Sequence, residues 1–299
     1  MKPKLTALIL LLSSWLLLLT GCQKQPTPSK GITVVTSLDF YAETAKAVLG
    51  DHGQVITLIN QPNMDPHDFE PTTKTAKTVA KGQIVISNGL GYDSWLQRLL
   101  TANGKAHITN LRVGEDLWHK KAGTNEHLWY DYRTMPKLAR RLAKLYSQRD
   151  PQHRKTYEAN AQRYIRSLKP INRKIATLRA QSKHQKVAVS EPVFNYALTA
   201  MGYKISNQHF AKAIEDGTDP SPQDIQKLRT AIRHHKIAFF VQNTQADSKV
   251  LTNLVQLAKQ SHVPVLKVTE TLPAHLTYRQ WMLRQYQQVA RIQKGSAHD

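Results

Sequence analysis

Cysteine is almost absent from this chain. Cys22 is the only one in 299 residues, which excludes an internal disulfide and, beyond Cys22 itself, a thiolate nucleophile or metal ligand. A second long apolar run is also missing: after Leu19 no stretch approaches the roughly 20 residues needed to cross a bilayer. Neither His-Glu-x-x-His nor a Ser/His/Asp signature occurs, so two common hydrolytic chemistries lack their motifs. Acidic residues are scarce, 21 against 42 Lys and Arg, for a formal net charge of +21. Such an excess usually raises nucleic acid as a partner. Here the cations are scattered along helix faces, as at Lys137, Arg140, Arg141 and Lys144. No nucleic acid is therefore expected; solvated helices facing anionic lipid or cell-wall polymer suit the pattern better.

What is present begins with a targeting segment. Lys2 and Lys4 precede an apolar stretch from Ala7 to Leu19, broken by Ser13 and Ser14, and then comes Leu19-Thr20-Gly21-Cys22. A secretory signal peptide has this layout. The last four residues resemble the bacterial lipobox, in which the cysteine is lipidated and becomes the mature N-terminus. Residues 1–21 are thus expected to be a lipoprotein signal peptide, and 22–31 a lipidated N-terminus and flexible tether. The protein is expected on the extracellular side of the cell membrane, held there through a lipid on Cys22. With Lys2 and Lys4 removed, 40 basic residues face 21 acidic ones, leaving +19.

Strands and helices alternate along the rest. Short apolar or β-branched runs lie at Ile32–Thr36, Gln54–Ile59 and Ile84–Asn88, with helical patterns between them at Phe40–Leu49 and Thr73–Ala80 and a third following at Trp95–Leu100. The rhythm returns at Val187–Ser190, Ala238–Val241 and Val265–Val268. Strands alternating with helices imply βαβ units and parallel sheets. The expected architecture is α/β, with an N-terminal lobe over 32–149 and a C-terminal lobe over 183–299.

A linking helix is expected over 150–182. Asp150 and Pro151 suit its N-cap and first helical position. Apolar residues recur at Tyr157, Ala161, Tyr164, Leu168, Ile171, Ile175 and Leu178, with Lys and Arg on the opposite side. About 28 residues would run about 40 Å, and Pro170 should kink the helix. A coiled-coil dimer is the rival reading of the stripe, but about three heptads are marginal for one. A helix packed on both lobes of a monomer is preferred.

Four potential metal ligands end strands or follow them. His67 lies in Asn63-Met64-Asp65-Pro66-His67-Asp68-Phe69-Glu70-Pro71, beyond the second strand. His127 lies in Glu126-His127-Leu128-Trp129, before the helix beginning near Met135. Glu191 ends the strand Val187–Ser190, and Glu270 closely follows Val265–Val268. Open α/β sheets bind ligands outside the carboxyl ends of their strands. Two imidazoles and two carboxylates, one pair per lobe, would close a site in the cleft. Singly, each has a plainer reading: a surface histidine, a packed histidine, a helix N-terminal acid and a loop charge.

These residues carry a resemblance. The chain resembles the zinc/manganese solute-binding lipoproteins that feed ABC importers, from the lipobox to about Gln287. The motifs are Asp65-Pro66-His67-Asp68-Phe69-Glu70-Pro71, Glu126-His127-Leu128-Trp129, Ser190-Glu191-Pro192 with Met201-Gly202-Tyr203, Asp219-Pro220-Ser221-Pro222, Asn243-Thr244-Gln245, and Val268-Thr269-Glu270-Thr271-Leu272-Pro273 leading to Tyr278-Arg279-Gln280-Trp281-Met282. The resemblance implies two lobes joined by a single long backbone helix, with the metal held in the interlobe cleft by His67, His127, Glu191 and Glu270. It also implies an ABC transporter permease as partner and no enzymatic activity. Family members more often have Asp at the position of Glu270. Many zinc members carry a histidine-rich loop that is missing here, since Leu111–Thr124 contains only His119. The Asp-Pro that often precedes the second histidine is Asn125-Glu126.

Either Zn2+ or Mn2+ suits such a cargo site. Bidentate carboxylates would raise coordination to about six, as Mn2+ prefers, whereas the Irving–Williams order favours Zn2+ in affinity. The expectation is tighter zinc binding with manganese as the transported ion. An exported metallohydrolase and a surface adhesin are the alternative functions.

Overall fold

The computed structural model describes residues 31–60, 69–102, 104, 108–246 and 248–295. The expected signal peptide, the expected tether up to Lys30 with Cys22, and His67 lie outside the described residues. Two four-stranded sheets are built entirely from parallel pairs, in the orders β2-β1-β3-β4 and β6-β5-β7-β8.

The first sheet comprises β1 (Ile32–Leu38), β2 (Gly53–Ile59), β3 (Ile84–Ser87) and β4 (Thr109–Arg112). Its crossover helices are α1 (Asp39–Leu49), α2 (Thr73–Ala80) and α3 (Ser94–Ala102). All seven residues of β1 are buried, as befits a central strand covered on both faces. β4 was not evident in the sequence because Thr-Asn-Leu-Arg offers a single buried apolar residue.

α4 (Thr134–Arg149) leads through a short 3-10 turn, Pro151–His153, into α5 (Arg154–Ser167) and α6 (Lys169–Gln181). The single helix expected over 150–182, kinked at Pro170, is instead two helices. The break is one residue, Leu168, and Pro170 occupies the first turn of α6, where the missing N–H has no intrahelical partner to lose. Asp150 does not cap a helix with its side chain. Its Oδ2 instead lies 2.6 Å from His153 Nδ1 and accepts a 2.7 Å bond from the Tyr157 hydroxyl. The apolar stripe itself is buried throughout, from Tyr157 to Leu178. α5 packs beside α4 and α1, and α6 beside the last helix.

The second sheet contains β5 (Lys186–Val189), β6 (Lys204–Ile205), β7 (Phe240–Asn243) and β8 (Val265–Val268). Around it stand α7 (Asn195–Ala200), α8 (Gln208–Glu215), α9 (Pro222–Arg233), α10 (Lys249–Gln260) and α11 (Tyr278–Gly295). β7 begins two residues later than its apolar run suggests, and the two-residue edge strand β6 carries no sequence signature.

Gly31–Asp299 forms one compact unit. A continuous apolar cluster joins both sheets, with Phe40 of the first half packed against Trp129 and against Trp281 of α11. Tyr130 packs on both Trp281 and Phe194. α11 thus reaches back across the molecule. The Tyr278 hydroxyl donates to the Trp129 carbonyl at 2.6 Å, and the Tyr278 N–H donates to Glu43 Oε2 of α1 at 2.6 Å. The linking segment is not the only tie between the two sheets.

Candidate metal centre

The carboxyl edges of both sheets supply the site. After β3 the chain turns sharply through Gly89, Leu90 and Gly91, all with positive φ (78°, 58° and 100°). The turn is held by buried Asp93, whose carboxylate accepts the N–H groups of Asn88 at 2.6 Å and Gly89 at 2.9 Å. Burial pushes the Asp93 carboxyl above the usual range. A Cβ at Gly89 would also lie 2.0 Å from Glu115 Oε2, so a side chain there would have to displace that carboxylate in addition to adopting a positive φ. This turn aims Tyr92, whose hydroxyl donates to Glu270 Oε1 at 2.7 Å. Asn88 also reaches the next loop, donating through Nδ2 to the Glu126 carbonyl at 3.0 Å.

That loop presents His127, which is fully buried. Asn125 Oδ1 accepts the His127 backbone N–H at 2.9 Å and lies 3.0 Å from the ring Nδ1, while Asn125 Nδ2 donates to the Pro192 carbonyl at 2.8 Å. The donation to Pro192 fixes the amide orientation, and Oδ1 can only accept. Nδ1 must therefore carry the ring proton. In the neutral ring the Nε2 lone pair then faces Glu215 Oε1 at 3.7 Å and Glu270 Oε1 at 3.8 Å. A lone pair opposed by two buried carboxylate oxygens is stabilised by a cation between them. Donors about 2.1–2.2 Å from such a cation and about 120° apart would be about 3.7 Å from each other.

The second sheet positions the remaining carboxylates. Asn243, at the end of β7, is 2% exposed. Its backbone N–H donates to Ser190 Oγ at 2.8 Å, and its Nδ2 lies 2.8 Å from Glu191 Oε2 and 3.4 Å from Glu270 Oε2. One amide thus orients two carboxylates from two different strand ends. Gln245 Oε1 fixes the backbone beyond β8, accepting the N–H groups of Glu270 at 2.7 Å and Thr271 at 3.1 Å.

Of the four residues picked from the sequence, His127 and Glu270 face one another directly and Glu191 joins them through Asn243. His67 lies outside the described residues. Sequence reasoning missed Glu215, Tyr92 and Asn243. Asn243 sits in a quoted motif and could have been noticed there, but Glu215 ends an unremarkable amphipathic helix and only tertiary packing brings it to the site. Its side chain is 6% exposed and its Oε1 is buried without a hydrogen-bond partner. Burial, reinforced by repulsion from Glu126, Glu270 and Glu191, pushes its carboxyl up to about 10. Glu215 also lines two adjoining cavities of about 500 and 610 Å³, the larger shared with His209, Glu126 and Tyr92. His209 therefore stands at the mouth of the site.

Two parallel sheets with a buried imidazole and several carboxylates between their carboxyl edges define a metal-binding α/β protein. The chain belongs to the ZnuA family, the periplasmic component A of zinc-uptake complexes, whose model matches residues 34–292. Among curated relatives, the manganese-binding lipoprotein MntA of Halalkalibacterium halodurans is 24% identical over 247 residues, covering 79% of this chain and 80% of that protein. The high-affinity zinc uptake system protein ZnuA of Bacillus subtilis is 23% identical over 269 residues, covering 82% and 83%. In fold, the chain is similar to the solute-binding protein FpvC of Pseudomonas aeruginosa in complex with Mn2+, with a TM-score of 0.73 at 19% identity, covering 89% and 100% of the two chains.

Proposed function

We propose that this protein captures a divalent metal ion outside the cytoplasm and delivers it to an ABC importer. The observation that carries the reading is the buried His127 Nε2 turned toward two carboxylate oxygens at 3.7 and 3.8 Å. Relatives named for manganese and for zinc support the same reading. His127, Glu191 and Glu270 would bind the ion, with His67 as the fourth ligand and Glu215 as a further carboxylate. Asn125 keeps the imidazole proton on Nδ1, and Asn243 and Tyr92 hold the carboxylates in place, so that little reorganisation accompanies binding. The oxygen-rich donor set suits both Mn2+ and Zn2+, with zinc bound more tightly and manganese as the transported ion. The protein would work as a monomer, anchored through Cys22 and docking on a membrane permease. The names of the relatives lend no support to the metallohydrolase or adhesin alternatives.

The test is metal analysis and calorimetry on the purified protein and its variants. His127→Ala, Glu191→Ala and Glu270→Ala should each weaken binding at least tenfold, about 1.4 kcal/mol, and His119→Ala should not. Equal losses at His119 and His127 would overturn the ligand assignment. In cells, a deletion strain that loses zinc while keeping manganese would overturn the manganese assignment and leave the site intact.

A further inference from the structure

A second cluster of metal-binding side chains lies at the opposite edge of the first sheet. His52 immediately precedes β2, and its carbonyl accepts the Ile32 N–H at 3.0 Å, so it is tied to the amino-terminal edge of the strands. Asp150 and His153 stand at the joint between α4 and α5. The His52 and His153 rings stack with centroids 3.8 Å apart and planes 26° from parallel. The Asp150 carboxylate touches His153 Nδ1 at 2.6 Å. One ligand atom from each of the three residues falls within 4.8 Å of the other two. β2 has seven residues, and at about 3.3 Å per residue it separates this cluster from the carboxyl-edge site by about 20 Å.

We propose that His52, Asp150 and His153 form a second divalent transition-metal site, independent of the cleft. Two imidazoles and one carboxylate are a borderline-soft donor set of the kind that holds Zn2+ with solvent in the remaining position. The ligand backbones are already fixed. The Asp150 N–H donates to the Tyr146 carbonyl at 2.8 Å, and the His153 N–H donates to the Asp150 carbonyl at 3.3 Å. The Tyr157 hydroxyl donates to Asp150 Oδ2 at 2.7 Å, the supporting hydrogen bond that ligating carboxylates commonly have. The His153 side chain is 42% exposed and that of Asp150 26%, so an ion enters from solvent with no lobe movement. Binding requires the Asp150–His153 hydrogen bond to open by somewhat under about 1 Å and the stacked His52 ring to swing until its in-plane lone pair converges on the ion, which makes this the weaker site. Once bound, the metal joins the turn before β2 to the α4–α5 joint. The nitrogen-rich donors favour Zn2+ over Mn2+ more strongly than the oxygen-rich cleft does.

Zinc titration of the purified protein tests this, with stoichiometry read by calorimetry and by metal analysis after gel filtration. The parent should take two equivalents, the second weaker. His52→Gln and His153→Gln should each abolish the second equivalent and leave the first unchanged, and their metal-free melting curves should match the parent's. His127→Ala should do the reverse, weakening the tighter equivalent and sparing the other, so this inference and the cleft assignment fail in different ways. Mn2+ alone should fill one site. A parent that binds a single zinc equivalent overturns the proposal. A second equivalent that survives in the His52→Gln/His153→Gln double variant overturns it too.

Discussion

Asn243 shows how much of the cleft depends on a single amide. It bonds Glu191 and lies within reach of Glu270 while its own backbone is held by Ser190. Asn243→Ala removes no ligand, yet it should weaken metal binding about 10–100-fold by releasing two carboxylates at once; calorimetry with zinc would check this. Asp39 provides a residue-scale test of stability. Burial, its largest influence, raises its carboxyl to about 6 from 3.8. The folded state therefore favours the protonated form. Stability from this group is fully present below pH 3.8 and falls as pH rises toward 6, where the buried carboxylate must ionise. Asp39→Asn should lose that dependence and melt higher than the parent above pH 6, as thermal scans across pH 4–7 would show. A variant that follows the parent at every pH would mean Asp39 is better solvated than its packing suggests.

The elements divide into those the sequence announced and those it could not. β1 and β3 are announced by short, fully buried runs rich in Val, Ile and Thr, and the α5–α6 stripe by its spacing. β4 and β6 are edge strands of four and two residues whose identity depends on a neighbour to pair with. The candidate cleft residues were readable where a histidine or acid follows a strand, as at His127, Glu191 and Glu270. Glu215 was not, because a glutamate ending a short helix looks the same whether it meets water or a metal. Pro170 marked the helix break correctly, whereas Asp150 marked a boundary but spent its carboxylate on His153 and Tyr157 in place of a cap. The entry to α11 shows the same limit. Thr277 and Gln280 form a local capping pair, with the Thr277 N–H donating to Gln280 Oε1 at 2.9 Å. The Tyr278 N–H is met by Glu43 from 235 residues away. Glu43→Ala should cost about 1–2 kcal/mol by stripping this cap. Urea unfolding with an unchanged midpoint would refute the role.

At the scale of the whole molecule, the aromatic cluster of Phe40, Trp129, Tyr130, Phe194 and Trp281 ties both sheets through one core. Rotation of one sheet against the other would have to open that cluster. Small-angle scattering should therefore find radii of gyration with and without metal that differ by less than about 1 Å, and a larger contraction would mean the core hinges. The reach of α11 back to α1 also bears on how the fold is made. A ribosome delivers Tyr278 and Trp281 after nearly everything they pack on, and the Glu43–Tyr278 contact closes a loop of 235 residues. Contacts so distant along the chain slow folding. Until the last helix arrives, Phe40 and Trp129 lack one wall of their pocket, so the nascent N-terminal half waits with wet aromatic surface. Completion of this core therefore waits on α11, the last of the described helices.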